Sequence, residues 1–164
     1  MINRQNMTMV GMADMNTAKD PGALTTLGLG SCVGIALYDP ITKIAALAHC
    51  MLPEAAQIQN NTNAAKFVDT AIVQLVKDME RLGAQKRRIV AKLAGGAQMF
   101  AFNSTNENMR IGDRNVEAAI KVLKQMGIPI VSNDVRENYG RTVELFTSDG
   151  SLVIKTIGKG IKTI

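Results

Sequence analysis

Two short apolar runs, residues 33–38 and 44–51, have the turn residues Asp39-Pro40-Ile41-Thr42 between them, and this spacing constrains the fold more than any other feature of the chain. Short apolar runs bounded by turn residues read as strands, and a connection this brief joins them as a hairpin. Residues 7–13 (weakly alternating), 24–29, 88–93, 128–131, 141–146 and 152–156 read as further strands, with Asp20-Pro21-Gly22 and Ser148-Asp149-Gly150 as turns. Ala64, Phe67, Val68, Ala71, Ile72, Leu75, Val76, Met79 and Leu82 recur at helical spacing, with Asn63 as N-cap and Gly83 past the end. A second helix is expected over 114–126, capped by Asp113 and ended by Gly127. Strands outnumber helices, and hairpins imply mixed or antiparallel pairing. The expected fold is an α/β (α+β) layered domain, its mixed and antiparallel sheets packed with two main helices, not a doubly wound nucleotide fold.

The 164 residues suit one domain, 1–164, with a single sizeable core, and no repeat or linker divides them. Charged residues make up 20% and hydrophobic ones 46%, which excludes a disordered chain. The apolar run near residues 44–52 is interrupted by His49 and too short for a membrane span. The polar start shows no signal peptide, so a cytoplasmic protein without membrane insertion is expected. A net charge of +5 would suit an acidic partner, but aromatic residues are only 4% and Trp is absent. That leaves little material for stacking on nucleic acid, which is not expected as a partner. The basic run Lys86-Arg87-Arg88 reads as a solvated connection.

His49 is the only histidine, so any imidazole chemistry must use it. In a hairpin, cross-strand partners have residue numbers with a constant total. A symmetric turn flanked by Asp39 and Thr42 sets that total at 81, which Cys32 and His49 also share. In this register they face each other with Cβ atoms roughly 5 Å apart, whereas a one-residue asymmetry in the turn would oppose Cys32 to Cys50 instead. In the symmetric register Cys50 points to the opposite face, which argues against a Cys/Cys/His metal site. An adjacent imidazole is expected to lower the Cys32 thiol's pKa. Gly28, Gly30 and Ser31 precede Cys32 and allow a turn whose N–H groups, at Gly30 and Ser31, support an oxyanion. Thr26 could offer its hydroxyl to the other imidazole nitrogen, the place of the orienting group in a triad. Each feature has a plainer reading: a small buried cysteine, a structural histidine, a common glycine turn.

At these residues the chain resembles the CheD family, chemoreceptor glutamine deamidases of bacterial and archaeal chemotaxis. The resemblance is carried by Thr26-Leu27-Gly28-Leu29-Gly30-Ser31-Cys32-Val33 and by Ala48-His49-Cys50-Met51-Leu52-Pro53. It extends through Tyr38-Asp39-Pro40, Phe67-Val68-Asp69-Thr70-Ala71, Lys92-Leu93-Ala94-Gly95-Gly96-Ala97-Gln98-Met99-Phe100 and Ile111-Gly112-Asp113-Arg114-Asn115, in order from about residue 25 to 144. One departure is the loop Arg136-Glu137-Asn138-Tyr139-Gly140-Arg141, which lacks the double glycine expected there.

The resemblance implies hydrolysis of selected glutamine side chains on receptor cytoplasmic helices, giving glutamate and ammonia. It implies Cys32 as nucleophile, His49 as base and Thr26 as supporting hydroxyl, with no cofactor and no metal. It also implies a fold like the catalytic domain of cytotoxic necrotizing factor toxins. A CheC-type phosphatase of the response regulator CheY is the second expected partner beside the chemoreceptor cytoplasmic domain. Gly95, Gly96, Arg114 and Asn115 are candidates for substrate contact, although the glycines read equally as a strand-ending turn and the polar pair as an ordinary helix start. Two other functions stand beside this one: a non-enzymatic regulator that binds a CheC-type partner, and a receptor methylesterase using the same cysteine chemistry.

Overall fold

The computed structural model describes residues 6–56, 62–99 and 110–164. Its strands are β1 (Met7–Met9), β2 (Asp14–Lys19), β3 (Ala23–Leu29), β4 (Val33–Asp39), β5 (Ile44–Cys50), β6 (Val90–Gly95), β7 (Ile130–Val135), β8 (Arg141–Phe146), β9 (Leu152–Thr156) and β10 (Gly160–Thr163). The helices are α1 (Val68–Arg81) and α2 (Ile111–Gln125). One sheet runs β1-β3-β8-β9-β10 and the other β2-β5-β4-β6-β7. Each contains one parallel pair, β1 with β3 and β6 with β7, among antiparallel ones. The expected layered α+β fold is therefore what the chain adopts.

Two buried clusters define the layers. Leu24, Val143, Leu145 and Ile154 of the first sheet meet Ala36, Leu47 and Ala94 of the second. On the second sheet's other face, Ile35, Leu37, Ala46 and Leu93 pack against Ile72, Leu75 and Met79 of α1 and Val116 and Leu123 of α2. The second sheet is thus the middle layer. All residues of β4 and β5 are buried, which is why they read as unbroken apolar runs rather than alternating ones.

Several expectations need correction. Residues 7–13 do not form one strand: β1 ends at Met9, and Ala13 takes a left-handed φ of 56° before β2. Neither β2 nor β10 was legible, because β2 is a polar edge strand and every β10 residue is exposed. Asn63 caps a short 3-10 turn at Ala64–Lys66, its side chain accepting from the Ala65 N–H at 3.1 Å, and α1 starts afterwards at Val68. Helix α2 begins three residues before the expected 114, with Arg110 rather than Asp113 in the cap position. Gly83 and Gly127 do follow the helix ends, at φ 114° and 73°, where a side chain would be strained. Arg88 is not simply solvated: its guanidinium pairs with buried Asp39 at 2.9 Å. Burial alone would raise the Asp39 pKa, but Arg88 and the N–H groups of Gln85, Ile41 and Thr42 hold it down at about 2.

The hairpin register is the most consequential correction. Asp39 pairs with Ile44, so the loop holds four residues, with Lys43 at φ 55° and its N–H on the Asp39 carbonyl at 2.8 Å. His49 therefore faces Gly34, not Cys32, and Cys50 faces Val33. The slip is two residues, an even number, so each side chain keeps its expected face. Cys32 lies in the inter-sheet cluster, and Cys50 lies in the helix-side core.

Candidate active site

The site forms where β3 gives way to β4. Thr26 pairs with Val143, but Leu29 pairs with Arg141, so Leu27 and Gly28 bulge out of the ladder. Gly28 has φ 69°, a conformation that glycine adopts without steric cost. The chain then turns through Gly30 and Ser31 into Cys32. Three consecutive carbonyls of this turn are anchored from outside. Gly30 O accepts from the Ala97 N–H at 2.8 Å, and Cys32 O accepts from the Gly96 N–H at 2.8 Å. Between them, Ser31 O accepts from the Asn115 amide at 3.0 Å.

Gly95 ends β6 and Gly96 follows it, beside the Cys32 turn, and the reason both are glycine is steric. Gly95 has φ 97°, and a Cβ there would lie 2.5 Å from the Cys32 carbonyl oxygen. Gly96, at φ 64°, meets the backbone of Gly112 at the start of α2. Asn115 is fully buried against the turn, whereas Arg114 lines a neighbouring groove with Pro53, Glu54, Glu117 and Lys121. Of the two polar residues at the helix start, only Asn115 is brought to the Cys32 turn.

His49 is buried in β5, and its Nδ1 lies 2.7 Å from the Thr26 hydroxyl. That hydroxyl is also 2.7 Å from the carbonyl of Val10. A carbonyl can only accept, so the single hydroxyl proton points to Val10, and Thr26 must accept from His49. The ring's proton is thereby assigned to Nδ1, and Nε2 carries the lone pair. Nε2 is buried and has no hydrogen-bond partner. Cys32 precedes Gly34 by two residues, and Gly34 faces His49, so Cys32 and His49 are diagonal neighbours on one face. The absence of a side chain at Gly34 leaves nothing of β4 standing directly opposite the imidazole.

Burial pushes the Cys32 thiol up, while its own backbone N–H pulls more weakly the other way. Burial also pushes the His49 imidazole down. Both shifts favour uncharged forms, so the resting pair is thiol and neutral imidazole. The expected lowering of the thiol by its neighbour is not found, because no hydrogen bond joins the two. Cys50 is deeply buried and burial drives its thiol far up, which leaves it inert.

A cleft of about 250 Å³ opens beside the glycine pair, lined by Gly96, Gln98, Arg110, Asp113, Arg136 and Glu137. Arg136 and Glu137 have φ 69° and 63°, so the turn in which the sequence lacked its expected glycines does use left-handed backbone. The turn is pinned by the Arg136 N–H on Gly95 O and the Gln98 N–H on Glu137 O, each 2.9 Å. The Arg136 side chain bonds Asp113 at 2.7 Å. Phe100, the last residue of one matching stretch, lies outside the described residues. Gly34, Gly112 and the Val10 carbonyl were missed by sequence reasoning. A glycine two residues after a candidate nucleophile was a usable signal, whereas a backbone carbonyl carries none.

Fold and site together define a layered α+β domain that presents a thiol, an imidazole and a supporting hydroxyl between its two sheets. The chain belongs to the CheD family: residues 51–156 match the family model described as CheD chemotactic sensory transduction. A relative from Caldanaerobacter subterraneus subsp. tengcongensis, named "Probable chemoreceptor glutamine deamidase CheD", is 55% identical over 155 residues, covering 94% of this chain and 96% of that one. One of the same name from Lachnoclostridium phytofermentans is 53% identical over 158 residues, covering 96% and 98%. Among solved structures, Bacillus licheniformis hypothetical protein YfiH is similar at a TM-score of 0.47 and 15% identity, covering 76% of this chain and 50% of that one. That likeness is too slight to bear on function. Among the described residues, no helix is long and apolar enough to cross a membrane.

Proposed function

We propose that this protein is a cytoplasmic deamidase that hydrolyses selected glutamine side chains on the cytoplasmic helices of chemoreceptors, acting as a single domain. The names of its full-length relatives support the reaction and the substrate class. The observation that carries the mechanism is the bond from His49 Nδ1 to Thr26, which leaves the Nε2 lone pair available on the face shared with Cys32.

His49 Nε2 takes the thiol proton as Cys32 Sγ attacks the glutamine amide carbon. The two groups start uncharged, so the proton moves with the attack rather than before it. Negative charge gathers on the amide oxygen, and the Ser31 backbone N–H is the donor assigned to it, because the Gly30 N–H is already given to the Gly28 carbonyl at 3.0 Å. His49 returns the proton to the amide nitrogen, the C–N bond breaks and ammonia leaves a thioester. Water then gives a proton to Nε2 and its oxygen attacks the thioester carbon. The C–S bond breaks, the thiolate recovers the proton from His49, and the glutamic acid product ionises to glutamate. Thr26 stabilises the imidazolium throughout, since Nδ1 donates to it in both charge states. A CheC-type phosphatase, implied by the family resemblance, is the second partner.

The test is peptide mass mapping of a receptor cytoplasmic fragment after incubation with the wild type or with Cys32→Ala. Exchange of an amide NH2 for OH by the wild type alone supports the reading. Loss of a methyl group instead would indicate an esterase. No change on any cognate receptor would leave binding as the protein's role.

A further inference from the structure

We propose that Asn115 is a positioning residue for this reaction, spanning the turn that carries Cys32 and the strand end that follows His49; the inference rests on the function proposed above. The β4–β5 ladder stops at the pair Val33 and Cys50. Cys32 lies one step beyond it, as does Met51 on the other strand. There the two arms of the site have left the ladder, and a single side chain bridges them. The Asn115 amide nitrogen has two hydrogens and uses both, one on Ser31 O and one on Met51 O, each at 3.0 Å. Ser31 directly precedes Cys32, and Met51 follows His49 by two residues. The nitrogen must face this way because both partners are acceptors only.

The rest of the residue's surroundings give no other reason for an amide. Asn115 is fully buried on α2, among the inward residues Val116, Ala119 and Leu123. Its Oδ1 is buried without a hydrogen-bond partner. A leucine would avoid the unpaired Oδ1 but would leave the Ser31 and Met51 carbonyls without their donor, so what the amide contributes lies on its nitrogen side. The carbonyls on either side of Ser31 are held by backbone N–H groups of residues 96 and 97. Those contacts fix the Cys32 turn against β6 but do not reach the His49 strand. Asn115 does. Cys32 and His49 share no hydrogen bond, so the spacing of the two arms decides whether the thiol proton can pass to Nε2.

The test uses Asn115→Asp and Asn115→Leu with two readouts. In deamidation of a receptor cytoplasmic fragment, both variants are expected to lose about 100-fold in kcat with KM within threefold of wild type, the scale of a misplacement near 1 Å. The second readout is the pH dependence of Cys32 alkylation by iodoacetamide, which needs no glutamine substrate. The wild type should show an inflection from His49 that is absent in His49→Ala, and the Asn115 variants should match His49→Ala. A variant with wild-type kcat and an unchanged alkylation profile, however low its Tm, would make Asn115 merely structural and overturn the proposal. So would a raised KM with kcat intact, which would mean a contact with substrate. If Leu at this position prevents folding, Asn115→Asp, equal in size, decides alone. If the wild type deamidates nothing, the proposed function fails, while the alkylation profile still decides whether Asn115 couples the thiol to the imidazole.

Discussion

Replacing Thr26 by valine keeps the shape of a fully buried side chain and removes one oxygen that serves two partners. That oxygen is 2.7 Å from the Val10 carbonyl and 2.7 Å from His49 Nδ1. Valine leaves an acceptor and an N–H donor unpaired inside the inter-sheet core. Each orphaned group costs about 1–3 kcal/mol, less what is regained by no longer burying the hydroxyl, so the expected destabilisation is about 2–4 kcal/mol. The chemical loss is separate. Without an acceptor at Nδ1 the ring has no fixed tautomer, and the imidazolium formed during attack has no partner. General-base action of this kind contributes at least about 100-fold, so kcat should fall by that order or more. Thr26→Ser supplies the control: it retains the hydroxyl and deletes a methyl group, at a cost of about 1 kcal/mol. Urea unfolding gives the stability difference, and deamidation of a receptor fragment at a temperature where all three forms are folded gives kcat. Equal activity in the valine and serine variants would refute the assigned hydrogen-bond direction and the role derived from it.

Three further outcomes follow from the geometry. Gly95→Ala places a Cβ 2.5 Å from the Cys32 carbonyl at a φ of 97°, so activity should be lost with a drop in Tm; a variant that deamidates at the wild-type rate would show that the Cys32 turn tolerates displacement. Burial lowers the His49 pKa, so the folded imidazole is neutral down to a pH below the ordinary value near 6.5. The acid limb of kcat/KM should therefore lie below that value, and native stability contributed by neutral His49 is lost as pH falls through the range where the unfolded chain takes up its proton first; a limb at or above 6.5 would contradict a desolvated base. Glu137→Gly relieves a left-handed residue at φ 63° and should raise stability by up to about 1 kcal/mol in urea unfolding, the glycine's extra unfolded-state entropy offsetting part of the gain. Arg136→Gly should gain less, because it also removes the 2.7 Å bond to Asp113.

Much of this protein was legible in its sequence, and for identifiable reasons. The apolar runs of β4 and β5 are unbroken because those strands form the interior of a middle layer, and the faces of α1 and α2 are periodic because each helix buries one side. Cys32 and His49 could be singled out as candidates because few residue types carry such chemistry and the chain holds two cysteines and one histidine. The expected faces of Cys32 and His49 survived a wrong register because side chains alternate with period two and the error was two residues. Tertiary structure alone decided the rest. The loop length between β4 and β5 depends on Lys43 entering a left-handed conformation, which no residue type there demands. Whether imidazole and thiol are charged depends on burial, and burial belongs to the packed sheets rather than to either residue. Nor could local sequence place Asn115, on a helix 84 and 64 positions along the chain from them, across the carbonyls of Ser31 and Met51. Local patterns record which face of an element is buried, whereas contacts between distant elements exist only once the layers have closed on each other.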